Sequence, residues 1–155
     1  MRAILSVPAG FQTGTARTVY DLGSVTHQFP SMSHQHHHVA VLGASPKPAR
    51  YANQCIRLLQ RYDYRITPIH PKFDEIEALP VSHSLAEVTD PVDTLTLYVG
   101  PRLLEPQTEA IVDLRPGRVI FNPGTESRAV QARLDEAGIE WLEACTLVML
   151  KTDQF

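Results

Sequence analysis

The chain has 155 residues, 43% of them hydrophobic and 20% charged, with a formal net charge of −3. That balance describes one globular domain with a substantial core, and the lack of any basic block argues against nucleic acid or a membrane surface as partner. No apolar stretch approaches the roughly 20 residues needed to span a bilayer, and Cys55 and Cys145 form neither a disulfide framework nor a CxxC pair, so the chain reads as cytoplasmic, without zinc or dithiol chemistry.

Residues 1–38 lack clear periodicity, are rich in Ser, Thr, Gly and Gln, and hold five of the seven histidines. They read as a disordered or loosely attached segment, with Met32 as an alternative native start, and residues 39–155 as the folded domain. The tract His34-Gln-His-His-His38 has metal-binding spacing, but no carboxylate or cysteine nearby completes a site, so no metal is assigned.

From residue 39 strands and helices alternate. A β-branched run ends at Gly43 and is followed by small residues, Ala44-Ser45-Pro46-Lys47-Pro48, before a helix over 51–61. A strand over 64–69 ends in His70-Pro71, and a connector occupies 72–81. A short helical signal over 84–88 has Ser84 at the cap and Glu87 at the capping-box position. A strand over 93–99 is closed by Gly100-Pro101, and one helix from Pro101 to about Leu114 follows. A strand over 118–121, the turn Asn122-Pro-Gly-Thr125, a helix over 126–137 ended by Gly138 and a strand over 139–142 complete the pattern. Strands separated by helices pair in parallel with right-handed crossovers, which predicts an α/β fold: a Rossmann-like, doubly wound parallel sheet of about five main strands.

In such a sheet ligands lie beyond the carboxyl ends of the strands, so the loops after Leu42, Ile69, Val99 and Phe121 are expected to meet at one crevice. Gly43 allows a tight turn that aims backbone N–H groups at an anion, Ser45 adds a hydroxyl, and Lys47 and Arg50 add charge at the mouth. The same turn pattern also serves merely to turn a chain from strand to helix. A dinucleotide fingerprint is incomplete: in its register Ser45 and Pro48 replace the second and third glycines, and His70 stands where a carboxylate is wanted for ribose hydroxyls. The lysine is not in a Walker A motif.

Gly43-Ala-Ser-x-x-Pro48 after a strand, Pro68-Ile-His-Pro71, Tyr98-Val99 and the C-terminal Glu143-Ala-Cys-Thr-Leu-Val-Met-Leu-Lys-Thr152 together resemble the small stand-alone CoA-binding proteins, which are similar to the N-terminal CoA-binding domain of the succinyl-CoA synthetase α subunit. The resemblance covers residues 39–155. It implies that Gly43, Ala44, Ser45 and Lys47 cradle the CoA phosphates, that His70 and Pro71 lie near the adenosine, and that Val99 borders the pantetheine arm. His70 stands where many members have Asn, and Asn122-Pro-Gly124 departs from the usual pattern while keeping a loop suited to a ligand. The phosphorylated histidine and nucleotide grasp of the synthetase belong to parts for which this chain has no room, so ligation is not expected.

Cys145 lies beyond the last strand, near the thiol end of a pantetheine on this reading, but no basic neighbour adjoins it in sequence, and packing is favoured over nucleophilic attack. Trp141, Leu142 and the run 147–150 read as core at the sheet edge, with a homodimer or protein contact as the other reading. The function expected is non-catalytic binding of coenzyme A or an acyl-CoA as carrier, sensor or regulatory module. The rivals are an NAD(P)-binding redox enzyme or sensor using the same crevice, and an interaction domain whose pocket is empty.

Overall fold

The computed structural model describes residues 34–155. The expectations for residues 1–33, including the start at Met32, lie outside the described residues. A 3₁₀ turn at His34–His36 precedes β1, His38–Leu42, whose five residues are all buried. The described residues thus include His34–His38, ahead of the expected boundary at 39. Two imidazoles of the His tract are engaged: His38 Nδ1 lies 2.7 Å from Pro91 O and Nε2 2.8 Å from Thr67 Oγ1, while His37 Nε2 lies 2.9 Å from Thr94 Oγ1.

The remaining elements are α1 (Tyr51–Arg61), β2 (Arg65–Ile69), β3 (Glu75–Ile76), β4 (Leu79–Pro80), β5 (Thr94–Leu97), α2 (Pro101–Leu104), α3 (Thr108–Leu114), β6 (Arg118–Phe121), α4 (Arg128–Ala137), β7 (Glu140–Glu143) and α5 (Thr146–Lys151). The main sheet has five strands in the order β2-β1-β5-β6-β7, every pair parallel. Alternation along the strands divides the core between the two faces. Val39 and Val41 of β1 pack with Cys55, Ile56 and Leu59 of α1 and Leu147 and Leu150 of α5. Ala40, Leu42, Leu95, Leu97, Val119 and Phe121 pack with Leu104, Ile111, Val130 and Leu134 from α2, α3 and α4. The fold is thus the doubly wound, Rossmann-like sheet that the alternation of elements predicts.

Four details depart from the expected elements. The helix from Pro101 is broken into α2, a 3₁₀ turn at Glu105–Gln107 and α3, because Pro106 has no N–H and its ring obstructs the preceding turn. The signal at 84–88 is only a 3₁₀ turn, Leu85–Glu87, in which Ser84 makes no side-chain cap bond and Glu87 Oε2 accepts from His83 N at 2.7 Å. The run 147–150 lies in a helix, α5, with Leu147 and Leu150 in the core.

The fourth departure is the connector, which folds into an antiparallel hairpin of β3 and β4, Glu75 opposite Pro80 and Ile76 opposite Leu79. Its two turn residues, Glu77 and Ala78, have φ of 52° and 62°. Turns of this kind favour Gly, Asn or Asp, so Glu-Ala gives no hairpin signal in the sequence. The hairpin hangs from the end of β2, where His70 N donates to Ser82 O at 3.0 Å and Ser82 N to Pro68 O at 3.0 Å.

Candidate functional site

The chain order of the sheet reverses between β1 and β5: the chain first winds outward to β2, then returns to β5 on the other side of β1. At such a switch point the loops leave in opposite directions and open a crevice beyond the carboxyl ends of the two strands. Its walls are close. Gly43 has φ +88°, and a Cβ there would stand 2.8 Å from Val99 Cγ1 and 2.9 Å from the carbonyl carbon of Tyr98, so both backbone shape and space demand glycine. The loop after β6 adjoins the loop after β5, since a Cβ on Gly100 would lie 4.0 Å from Gly124 O.

The structure therefore brings together Gly43, Ala44, Ser45 and Val99, with Gly124 next to Gly100. The donors differ from those expected. The N–H groups of Gly43 and Ala44 both point to Ile69 O, at 3.1 and 3.2 Å, and tie the turn to the end of β2. Ser45 Oγ accepts from Lys47 N at 3.2 Å, which tightens the next step of the turn. The open positive end is the start of α1: Arg50 stands at the N-cap with φ −80° and ψ 141°, no side chain caps the helix, and its first turn carries no acidic residue. An 11-residue helix left in this state offers free N–H groups and the positive end of its dipole to an anion. By contrast, the start of α4 is closed by Ser127, whose Oγ accepts from Val130 N. Lys47 and Arg50 are exposed beside the open end of α1.

His70 lies at the end of β2 with Nδ1 accepting from Lys72 N at 3.1 Å and its ring 4.5 Å from that of Phe73. Burial, followed by the nearby Lys72 charge, lowers its pKa, so it is held toward the neutral form. Pro71 is exposed beside it. Asn122 is engaged within the fold. Its Nδ2 donates to Thr96 Oγ1 at 2.7 Å and Leu97 O at 2.9 Å, and its Oδ1 accepts from Thr146 N at 2.8 Å. Thr146 Oγ1 also lies 2.8 Å from Thr96 Oγ1, so this buried network staples β6, β5 and the start of α5 together. Gly124 has φ +92° and donates its N–H to Glu126 Oε2 at 2.7 Å.

Sequence reasoning missed Asn53 and Glu77. Asn53, fully buried in the first turn of α1, donates through Nδ2 to Ser45 O at 2.9 Å and to Glu77 Oε1 at 2.8 Å. Its Oδ1 is buried with no partner among the described residues. A polar residue on the stripe of α1 that carries Ala52, Cys55, Ile56 and Leu59 was the available signal. Cys145 is partly exposed at the start of α5, whereas Cys55 is fully buried and its thiol is pushed up to about 12, chiefly by burial. Tyr98 Oη is buried without a well-formed hydrogen bond; burial first, then the nearby Cys55, drives its pKa upward.

Among the described residues no three His, Cys, Asp or Glu side chains group as a metal site, and no helix is long and apolar enough to cross a membrane. A concavity of about 510 Å³ lies along β7, lined by Arg118, Asp135, Ile139, Glu140, Trp141 and Leu142. It is away from the loops that carry the open helix end.

Comparison with known proteins gives the family and the fold. The family described as CoA binding domain matches residues 37–151. The ADP-forming acetate–CoA ligase I of Archaeoglobus fulgidus is 26% identical over 108 residues, which are 68% of this chain and 16% of the ligase. The chain thus corresponds to a small part of that enzyme. A crystal structure of an uncharacterized protein aligns with 36% identity and a TM-score of 0.73, covering 77% of this chain and 98% of that one. A conserved hypothetical protein from Pyrococcus furiosus aligns with 30% identity and a TM-score of 0.68, covering 72% of this chain and 97% of its own.

Proposed function

The chain belongs to the CoA binding domain family, and from that premise we propose that its crevice holds coenzyme A or an acyl-CoA, without turnover, as a carrier, sensor or regulatory module. The observation that carries this reading is the uncapped start of α1 behind the Gly43 turn, at the switch point between β1 and β5. A diphosphate there meets the first N–H groups of the helix, with Lys47 and Arg50 as outer charges screened by solvent. The N–H groups of Gly43 and Ala44 hold the turn in shape instead of facing the anion.

The pantetheine arm then runs past Val99 and Gly100, where the exits of β1 and β5 touch. Binding without turnover accords with the residues at this end of the sheet. Asn122, Thr96 and Thr146 are consumed in a structural network, and the deeper thiol is protonated at neutral pH. Residues 1–33 take no part in this reading.

The test is calorimetric titration of the reduced protein, freed of co-purified ligand, with CoA, acetyl-CoA and NAD in parallel. One-site saturable binding of CoA and acetyl-CoA, with little for NAD and no loss of thioester on prolonged incubation, is the expected result. NAD binding stronger than CoA binding would favour the redox reading instead, and thioester cleavage would overturn the non-catalytic role.

A further inference from the structure

The hairpin of β3 and β4 carries a carboxylate to a corner of the crevice where the sequence shows none. Glu77, at the hairpin tip, is half-buried, and its Oε1 accepts from Asn53 Nδ2 at 2.8 Å. The same nitrogen donates to Ser45 O at 2.9 Å, so one amide joins the acid to the turn that leads into α1. The backbone of Glu77 is fixed as well, its carbonyl accepting from Gln60 Nε2 at 2.9 Å. Two successive non-glycine residues with positive φ, Glu77 and Ala78, persist only where surrounding contacts impose them, and such strain gathers at sites with a task.

The placement has a chemical meaning. In a βαβ nucleotide site the diphosphate sits on the start of the first helix, and an acid near the end of the second strand accepts the ribose hydroxyls. His70 occupies the end of β2, but the hairpin that hangs there returns Glu77 to the first turn of α1. Its Oε2 has no bond among the described residues, and the adjacent Asn53 Oδ1 is buried and unpartnered. The vacant carboxylate oxygen, at the more accessible side of this corner, suits a hydroxyl group, which donates, and opposes a phosphate, which carries only acceptors and negative charge.

We propose that Glu77 is a specificity-determining residue: held on Asn53, it accepts a ribose hydroxyl of the bound nucleotide and disfavours a phosphate in that place. The preferred ligand is then a pantetheine-linked adenosine diphosphate whose ribose is unphosphorylated. This rests on the reading of the crevice as a site for pantetheine nucleotides and shifts the preferred member of that class from CoA to its 3′-dephospho form.

The test compares CoA with 3′-dephospho-CoA by calorimetry on the full chain and on Glu77→Gln, which keeps the oxygen that accepts from Asn53 and removes the charge. The wild-type protein is expected to bind 3′-dephospho-CoA about tenfold or more tightly than CoA at low salt, a ratio within reach of one close charge repulsion. In Glu77→Gln the ratio falls toward one, mainly through tighter binding of CoA. A wild-type protein that binds CoA as tightly as its dephospho form, or a ratio unchanged in the variant, overturns the proposal while leaving the crevice a CoA site. Failure of both ligands to bind overturns the pantetheine-nucleotide reading and this proposal with it. A wild-type ratio near one overturns the proposal even if the variant does not fold.

Discussion

Gly43 and Val99 meet across the switch point: a methyl group on residue 43 would stand 2.8 Å from Val99 Cγ1, in a backbone conformation of φ +88° that side chains rarely adopt. The Tyr98 carbonyl carbon, at 2.9 Å, is backbone and cannot swing aside as a side chain can. Gly43→Ala is therefore expected to destabilise the protein by about 2 kcal/mol or more, the sum of positive-φ strain and a backbone collision. Chemical denaturation reads it; a loss of only a few tenths would mean that the β1 and β5 exits are not so closely joined.

Lys47 and Arg50 are exposed near the open start of α1 and act through solvent. Their contribution to ligand binding is accordingly modest and sensitive to salt. Lys47→Ala is expected to weaken CoA binding by about three- to tenfold at low ionic strength, with most of the difference gone near 0.5 M salt, where screening acts within a few ångströms. Titrations at two salt concentrations check this, and a loss that salt does not change would place the ammonium in direct contact with the ligand.

Asn122 separates a structural role from a binding role. Replacing it by alanine removes three buried hydrogen bonds and strands Thr146 N and Leu97 O, which costs about 2–4 kcal/mol. Because its polar atoms are engaged inside the fold, the folded variant is expected to bind CoA within a few-fold of the wild type. A melting curve and a titration below the lowered transition test the two halves; a stable variant that has lost CoA would reverse the assignment.

The contrast between Gly43 and Glu77 shows what a linear reading can reach. Gly43 lies at the break between an apolar run and a run of small residues, and the period of those segments is itself a local property, so strand, turn and helix were all visible. The convergence of Val99 and Gly124 on the crevice follows from topology, which right-handed crossovers restrict. Glu77 is different. Its place at the crevice depends on a two-residue turn without turn residues and on an amide from a helix 24 positions away. Pro106 is a helix breaker inside an apolar spacing that reads as one helix, and the apolar run that reads as core at the sheet edge belongs to α5, a helix of only six residues. The bonds from Gly43 N and Ala44 N to Ile69 O likewise depend on how β2 ends beside β1, which no residue type announces.

Mild acid should loosen the fold. His37 and His70 both have lowered pKa values, in each case chiefly because burial disfavours the imidazolium. For His37, Asp93 acts in the opposite direction, and Arg118 reinforces the lowering. A lowered histidine pKa means that the unfolded chain takes up protons first, so stability is intact above the ordinary histidine value of 6.5 and falls as pH drops below it. Denaturation midpoints measured from pH 7.5 to 5.5 should decline, and His37→Gln, which keeps a polar partner for Thr94 Oγ1, should flatten part of that decline.

The two thiols should react in sequence. Cys55 is wholly buried, and its pKa is pushed up to about 12, mainly by burial, so at pH 8 it presents almost no thiolate and no surface to a reagent. Cys145 is partly exposed at the start of α5. Brief treatment of the native protein with iodoacetamide at pH 8 is expected to add one carboxamidomethyl group, located at Cys145 by peptide mapping, and denaturant should release the second. The same burial sets an alkaline limit. Near pH 9, the ordinary value for a cysteine thiol, the unfolded chain begins to lose a proton that the folded chain keeps up to about 12, so stability falls as pH rises through that window. Cys55→Ala removes the linkage at the cost of a small cavity, so its stability should be lower near neutrality yet decline less from pH 8 to 10. Equal labelling of both cysteines in the native state would show that α1 opens readily at the site where it packs against β1.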